Sequence, residues 1–526
     1  MESGYLTIVL HAHLPFIRHP EYPDFLEEDW LFEAITETYI PLLQMFHRLE
    51  QEQISFALAM TLTPTLCEML ADPLLIERYS RHLKKLTHLA ESEKTRYSSN
   101  DPRFHIAQVY HRFYLDIQET YFQKYQQQIL RGFRDFQEKG FLEIVTCGAT
   151  HGYLPLMKYE KSVQAQIRIA VQNYRKHFGS QPNGIWLPEC GYKRGLEKML
   201  QQEAIRFFFV DSHGLLFGTP RPTFGIYQPA YCENGVAFFA RDIETSKQVW
   251  SAEEGYPGDP YYREFYRDLG YDAPYDYILP FLHPDGVRRN TGIKYHRVTG
   301  KIDLGKKQFY LPEKASERTR AHAAHFLECR EKQNRHLQNI LGISPLILSP
   351  YDAELFGHWW FEGPQFLEHI FRLGKQYSVQ FITPSQYLKK HAIHQIVTPS
   401  DSSWGQAGYS QQWLNPTNAW TYRHLHQGEQ HLLEMIQKTE HPTALEIRVL
   451  NQASRELLLA QSSDWAFIMS TGTTVEYATK RFKDHIHRLN QLYEMLKSHQ
   501  IQLALLEEME QRDNLFSELN YQAFKL

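Results

Sequence analysis

Short apolar runs recur along the chain, and most of them end in polar or ionisable residues. Runs of this length that are rich in β-branched and aromatic residues are typical of buried strands. Several are followed by a helical pattern of apolar positions, as at residues 162–178 and 196–202. The alternation of strand and helix predicts a β/α barrel. The predicted strands span residues 5–10, 56–62, 142–146, 185–187, 206–210, 236–240, 345–348 and 379–382.

Two regions depart from this alternation and have a helical pattern throughout. Roughly residues 72–140 are charged and helical, which predicts an insertion into the barrel. From about residue 415 the pattern is again helical, with Leu- and Gln-rich runs at 443–461 and 474–499. We therefore expect a β/α barrel over residues 1–400, with its insertion at about 72–140, and a helical C-terminal domain over residues 401–526. The aromatic segment at 400–415 is the expected junction, and junctions often line clefts.

The polar residues at the strand ends are the candidates for chemistry, because reactive groups of β/α barrels project from the carboxyl ends of the strands. They are His11, His13, His151, Glu189, Asp211, His213, Arg241, Asp242 and Asp352. Cleavage of an acetal needs a pair of carboxyl groups, one to protonate the leaving oxygen and one to stabilise the oxocarbenium-like centre. Glu189 and Asp352 are suited to these roles, although each is equally explained as a cap for the helix that follows. For Glu354 and Glu362 we expect solvated or locally bonded side chains.

Composition excludes several classes of protein. A net charge of −5 with 22% charged residues provides no basis for binding nucleic acid or a membrane surface. The five cysteines are scattered and include no CxxC pair, which argues against a disulfide framework or a Cys-rich zinc site. We find neither a signal peptide nor a run of about 20 apolar residues. These features predict a cytoplasmic protein.

Aromatic residues are abundant, at 14% of the chain. Many lie among Gly, Pro and Asp in loop-like stretches at residues 250–286 and 402–420. Rings on loops suit a ligand with apolar faces and hydroxyl edges, which is the character of sugars. Trp404 and Trp413 in particular are predicted to form a stacking floor for such a ligand.

Four motifs in this order resemble those of glycoside hydrolase family 57. They are "HAHLPF" at residues 11–16, "GATHGYLPL" at 148–156, "WLPECGY" at 186–192 and "SPYDAELFGHWWFEGP" at 349–364. The stretches "SKQVWSAEEGYPGDPYYREFYRDLGYD", "HPDGVRRNTGIKYHRVTG" and "SSDWAFI" extend the similarity over nearly the whole chain. Within the family, the similarity is to its 1,4-α-glucan branching enzymes.

The resemblance implies an incomplete (β/α)7 barrel with helical additions and a retaining mechanism on an α-glucan such as amylose or a glycogen-like polymer. By motif matching, Glu189 takes the place of the nucleophile and Asp352 that of the general acid/base. The acceptor of the transferred chain would be a 6-hydroxyl group, and no cofactor or metal is implied. The implied substrate-binding positions are Arg267, Gly286, Trp404 and Asp464, with His11, His13 and His151 around the cleaved bond. Tyr227 and Tyr231 are both candidates for a loop tyrosine that covers the cleft and favours transfer.

Three alternatives stay open at this stage. Within the family, the activity could be that of an α-amylase or a 4-α-glucanotransferase. The His11-x-His13 pair, with His151, Asp211 and His213, also resembles the ligands of a zinc-dependent amidohydrolase or deacetylase. A carbohydrate-binding protein without activity is the third, and the presence of both carboxylates argues against it.

Overall fold

The computed structural model describes residues 4–250 and 255–525. Its strands follow the predicted apolar runs, with one additional short strand, β6. They are β1 (Gly4–Ala12), β2 (Leu58–Leu62), β3 (Leu142–Val145), β4 (Gly184–Ile185), β5 (Phe207–Val210), β6 (Ala230–Tyr231), β7 (Ala237–Ala240), β8 (Leu346–Asp352) and β9 (Val379–Phe381).

Helices separate and surround these strands. Those before β8 are α1 (Glu28–Ala34), α2 (Ile40–Gln51), α3 (Pro64–Ala71), α4 (Pro73–Arg96), α5 (Pro102–Gln118), α6 (Ile129–Glu138), α7 (Glu160–Phe178), α8 (Leu196–Gln202), α9 (Ser212–Leu216), α10 (Ile243–Trp250), α11 (Leu269–Asp272), α12 (Tyr275–Ile278) and α13 (Pro312–Leu341). Those after it are α14 (Gly363–Leu373), α15 (Pro384–Lys390), α16 (Trp420–Lys438), α17 (Ala444–Ala460), α18 (Ser463–Thr471), α19 (Val475–Lys497) and α20 (Leu503–Arg512). No helix in the described ranges is long and apolar enough to cross a membrane.

The strands form two sheets. The first has the order β3-β2-β1-β8, and β9 also pairs with β1; every pairing in it is parallel. The second has the order β4-β5-β7-β6, in which only β6 is antiparallel. The fold is thus α/β with parallel strands and many helices, but the strand pairing is not that of one continuous barrel.

Isolated hydrogen bonds link the two sheets at both edges. At one edge, the amide of Thr146 donates to the carbonyl of Gly184 over 3.1 Å, and the amide of Trp186 donates back to Thr146 over 2.8 Å. At the other, the amide of Asp242 donates to the carbonyl of Leu348 over 2.9 Å. The sheets therefore lie edge to edge with their parallel strands in one direction.

The register of β1 and β8 brings two predicted site residues together. All nine residues of β1 are buried, as expected for a central strand of a parallel sheet covered on both faces. His11 near the end of β1 pairs with Asp352 at the end of β8. Because these strands are parallel, their polar ends meet at the same side of the sheet.

Helices fill the two regions that were predicted to be helical. Residues 72–140 contain α4, α5 and α6, and α4 packs against α5. The predicted helical runs at 443–461 and 474–499 correspond to α17 and α19, which pack against each other and against α16.

Candidate active site

A cavity of about 690 Å³ lies at the carboxyl ends of β1 and β8. This volume is within the range of ligand-binding clefts. Most of the residues predicted to bind or cleave the substrate line it. They are His11, His13, His151, Glu189, Asp352, Trp404, Trp413 and Asp464.

Glu189 lies on a strained turn directly after β4. Pro188–Cys190 form a single helical turn in which Glu189 has φ 61° and Cys190 has φ 50°. Left-handed backbone at residues other than glycine costs on the order of 1–3 kcal/mol and is concentrated at functional sites. The turn holds the carboxyl group of Glu189 against the cavity, where the residue is 9% exposed.

Two donors from the C-terminal part of the chain hold the Glu189 carboxylate. The indole Nε1 of Trp404 donates to Oε2 over 2.7 Å, and the hydroxyl of Ser463 donates to Oε1 over 2.8 Å. Burial raises the pKa of Glu189 to about 7, although these two hydrogen bonds oppose the rise. The group is thus an ionisable carboxylate with low hydration, which suits a nucleophile.

Asp352 is also buried, but no hydrogen bond offsets the effect on its pKa as at Glu189. Burial and the neighbouring negative charges of Glu354 and Glu189 raise its pKa well above the ordinary value, against a smaller opposing effect of Arg241. These effects favour the protonated form of Asp352. A carboxyl group with negative neighbours, beside another that is held by two hydrogen-bond donors, is the arrangement expected of an acid and a nucleophile.

His13 and Asp464 form a charged pair beside these carboxyl groups. His13 Nε2 lies 3.0 Å from Asp464 Oδ2, and His13 Nδ1 lies 3.1 Å from Thr63 Oγ1. Burial lowers the pKa of His13, but the charge and hydrogen bond of Asp464 outweigh this and raise it. The same contact overcomes burial at Asp464 and lowers its pKa to about 2. The pairing therefore favours the imidazolium form of His13 and the ionised form of Asp464.

His11 and His151 are neutral by contrast. Burial, followed by the charges of nearby histidines, lowers the pKa of each well below the ordinary value. Their Nε2 atoms are 3.0 Å apart, and the ring of His13 stacks on that of His151 at 3.8 Å between centroids. The surroundings thus favour the protonated form of His13 and the neutral forms of His11 and His151.

Part of this cluster has the geometry of a metal site. His13, His151 and Asp464 offer ligand atoms within 4.8 Å of one another, although His13 and Asp464 are already paired. Asp211 and His213, the other ligands of the amidohydrolase alternative, are not in this group. Asp211 pairs with Arg241 at 2.9 Å, and His213 Nε2 lies 2.7 Å from the carbonyl of Gly408.

Four of the predicted site residues do not line the cavity. Arg267 pairs with Asp272 at 2.8 Å, and Gly286 accepts a hydrogen bond from the hydroxyl of Tyr275. The carbonyl of Tyr227 accepts from the amide of Leu346, at the end of β8 opposite to Asp352, and Tyr231 lies in β6. Neither tyrosine covers the carboxyl pair.

Trp413 does not offer an exposed ring face on which a ligand could stack. The residue is 1% exposed, and its ring stacks on that of Tyr153 at 5.0 Å between centroids. Other aromatic residues line the cavity and expose more surface, namely Trp250, Trp359 and Phe467 at 43–48%. The sequence analysis did not name them individually, although Trp250 begins the loop-like stretch at 250–286 and Trp359 and Phe467 lie in two of the quoted motifs.

Glu354 and Ser463 are functional candidates that the sequence analysis missed. Glu354 is not solvated: it lines the cavity, is 6% exposed and accepts a 2.5 Å hydrogen bond from the hydroxyl of Tyr39. Ser463 lies within the quoted "SSDWAFI" motif next to Asp464, which is the only sequence signal for it.

An acid and a carboxylate in an aromatic-lined cavity at parallel strand ends are typical of enzymes that cleave glycosidic bonds. The family comparison agrees with this class. Residues 7–344 match the model of glycosyl hydrolase family 57, and residues 424–524 match that of the 1,4-alpha-glucan branching enzyme C-terminal region. The chain belongs to glycosyl hydrolase family 57.

Proteins similar to this chain carry two different descriptions. A 1,4-alpha-glucan branching enzyme of Thermococcus kodakarensis is 36% identical, with 98% of this chain and 77% of that protein covered. The crystal structure of a branching enzyme from Pyrococcus horikoshii has 34% identity and a TM-score of 0.89, covering 99% of this chain and 96% of that one. The alpha-amylase AmyC of Thermotoga maritima has 47% identity and a TM-score of 0.94, covering 100% and 99%.

Proposed function

We propose that the protein is a 1,4-α-glucan branching enzyme, which cleaves α-1,4 bonds of an α-glucan and transfers the released chain to a 6-hydroxyl group. One observation carries the proposal beyond the family. Residues 424–524 match the branching enzyme C-terminal model, and within this range α18 places Asp464 in the wall of the cavity and the hydroxyl of Ser463 on the Glu189 carboxylate. Transfer to a glucan acceptor then takes place in a cavity built by both parts of the chain.

The proposed reaction is a double displacement. Glu189 attacks the anomeric carbon and forms a covalent glycosyl-enzyme intermediate, while Asp352 gives its proton to the departing glucan oxygen. Asp352, now ionised, then takes the proton of the acceptor 6-hydroxyl, which attacks the anomeric carbon and releases Glu189. The His13 imidazolium lies nearby and favours the ionised state of Glu189.

The same proposal includes the arrangement of the chain. We propose that β1, β2, β3, β4, β5, β7 and β8 form an incomplete and distorted (β/α)7 barrel, supported by the hydrogen bonds between the two sheets. The catalytic barrel would extend over residues 1–400 with the insertion at about 72–140, followed by a helical C-terminal domain over 401–526. The substrate would be a linear α-glucan of the amylose type, with a role in glycogen-type polymer synthesis in the cytoplasm.

An α-amylase is the second candidate, and the similarity to the Thermotoga maritima protein favours it. Both activities share the first displacement and differ in what resolves the intermediate. Water gives hydrolysis, whereas a sugar hydroxyl gives transfer. The carboxyl pair is therefore tested separately from the choice of acceptor.

Two substitutions test the roles of the carboxyl groups. Glu189→Gln keeps the shape of the side chain but cannot attack, so bond cleavage should fall by at least about 10³-fold on every substrate. Asp352→Ala should lower cleavage of amylose far more than cleavage of an aryl α-maltoside with an acidic leaving group, since the latter needs little protonation. Glu328→Gln, on the exposed face of α13, is the control and should keep full activity. Appreciable turnover by folded Glu189→Gln, or equal losses on both substrates for Asp352→Ala, contradicts the assignment.

A further inference from the structure

Ser463 bridges the proposed nucleophile Glu189 and the neutral histidine His151. Its hydroxyl is 2.8 Å from Glu189 Oε1 and 2.8 Å from His151 Nδ1. Its amide donates to the carbonyl of His151 over 3.0 Å, so the backbone holds the side chain in place. Ser463 is 2% exposed and is the first residue of α18, which places it between the strand ends and the C-terminal helices.

The chemistry of the partners fixes the direction of the hydrogen bonds. An ionised carboxylate only accepts, so the single proton of the Ser463 hydroxyl goes to Glu189. The hydroxyl must then accept from His151 Nδ1–H, which leaves His151 Nε2 unprotonated. His151 Nε2 therefore accepts from His11 Nε2–H over 3.0 Å. The chain of donors runs from His11 through His151 and Ser463 to Glu189.

The far end of this chain provides an independent check. If His11 carries its proton on Nε2, its Nδ1 is unprotonated and can only accept a hydrogen bond. It then has no proton to donate to a carboxylate or carbonyl oxygen. His11 Nδ1 is buried and has no hydrogen-bond partner among the residues that the structure describes. Both rings are also held neutral by burial, which lowers the pKa of His11 and of His151. With these tautomers each hydrogen bond from His11 through His151 and Ser463 to Glu189 has one donor and one acceptor.

We propose that Ser463 is a positioning residue for the nucleophile. It holds Oε1 of Glu189 while Trp404 holds Oε2, so the carboxylate cannot rotate, and it selects the tautomer of His151. The inference rests on the proposed role of Glu189. Ser463 neither attacks nor protonates the substrate. It acts through its hydrogen bond to Glu189, so its removal should change the rate and the acid limb of the pH profile while KM stays unchanged.

The test compares Ser463→Ala and Ser463→Cys, which lack a strong donor, with Ser463→Thr, which keeps the hydroxyl. Total bond cleavage on a soluble maltooligosaccharide is measured against pH, so the result does not depend on whether the chain is transferred or hydrolysed. We expect kcat to fall about ten-fold for Ala and Cys, because a donor to a charged group is lost. We also expect the acid limb of kcat/KM to move up by about one pH unit, with both changes reversed in Thr. Ser454→Ala, a buried serine that bonds only to its own helix in α17, is the control and should change neither quantity.

Several outcomes overturn the proposal. If Ser463→Ala has the same kcat and the same acid limb as the wild type, the hydroxyl does not position Glu189. A loss of activity without a shift of the acid limb, or one that Thr does not restore, shows a merely structural role. Should the Ala variant fail to fold, the Cys variant fills the same volume and carries the same test. Glu189→Gln in the same assay separates this inference from the proposed function. Turnover by Glu189→Gln would contradict the assignment of Glu189 as the nucleophile. An inactive Glu189→Gln together with an unaffected Ser463→Ala would contradict only the role of Ser463.

Discussion

Trp404 combines two roles that a pair of substitutions can separate. Its indole Nε1 donates to Glu189 Oε2 over 2.7 Å, and its half-buried ring lines the cavity beside the carboxyl pair. Trp404→Phe removes the donor and keeps an aromatic face, whereas Trp404→Ala removes both. The first change acts on the nucleophile, and the second also removes a surface on which an acceptor glucan can stack.

The size of each effect follows from these contacts. A hydrogen bond to a charged group contributes about 1.5–3 kcal/mol, which corresponds to a loss of about 10- to 150-fold in kcat/KM for Trp404→Phe. Aromatic stacking contributes about 0.5–1.5 kcal/mol beyond area burial, which corresponds to a change of about 2- to 10-fold in the ratio of branching to hydrolysis. We therefore expect Phe to lower cleavage and largely keep the ratio, and Ala to lower both.

Amylose is the substrate for this test, with branch points counted after debranching and new reducing ends measured in the same samples. Trp420→Phe is the matched control, because its Nε1 donates only to the carbonyl of Thr417. Undiminished cleavage by Trp404→Phe would show that the hydrogen bond to Glu189 has no catalytic role. Equal ratios for wild type, Phe and Ala would show that acceptor control lies elsewhere.

Three further predictions follow from buried charged groups. In the wild type, kcat/KM should rise with pH through about 7, where Glu189 ionises, and should fall at higher pH as Asp352 loses its proton. Full activity at pH 5 would contradict this profile. Glu354→Gln removes a negative charge beside Asp352, so the basic limb of the same profile should move to lower pH, and an unmoved limb refutes the coupling. Glu37 lies 2.8 Å from the buried Arg263, and the charge of Arg263 outweighs the effect of burial and lowers the pKa of Glu37 to about 2. The ion pair therefore stabilises the fold above the pKa that Glu37 has in the unfolded chain, and this contribution is lost as the pH falls towards 2. Glu37→Gln leaves the cation unpaired and should destabilise the fold by about 3–5 kcal/mol, seen as a lower denaturant midpoint at pH 7, whereas an unchanged midpoint contradicts it.

The strands and most of the cavity were predictable because they depend on local patterns. Apolar runs that end in polar residues predicted the positions of β1 to β5 and β7 to β9, and thereby the ends that carry Glu189 and Asp352. Parallel strands bring such ends together whatever the loops between them do. The helices α8, α17 and α19 agree with the predicted runs to within two residues, since their apolar periodicity is regular.

Contacts across long separations were not predictable. Trp404 and Ser463 reach Glu189 from 215 and 274 residues away in the chain, and no local pattern encodes such a distance. The division of the strands into two sheets was also not predictable. The apolar run at 185–187 looks like an ordinary strand in the sequence, but β4 is only two residues long in the structure. Glu354 appeared solvated from its sequence neighbours, whereas its contact with Tyr39 spans 315 residues.

The central claim is that the glycosyl-enzyme intermediate is resolved by a glucan hydroxyl rather than by water. The most direct measurement incubates the protein with amylose and counts α-1,6 branch points against new reducing ends over time, with Glu189→Gln as the blank. The account predicts that branch points accumulate while the number of reducing ends stays nearly constant, because each cleaved end is transferred. Reducing ends that rise with every cleaved bond, without branch points, would identify a hydrolase and contradict the account.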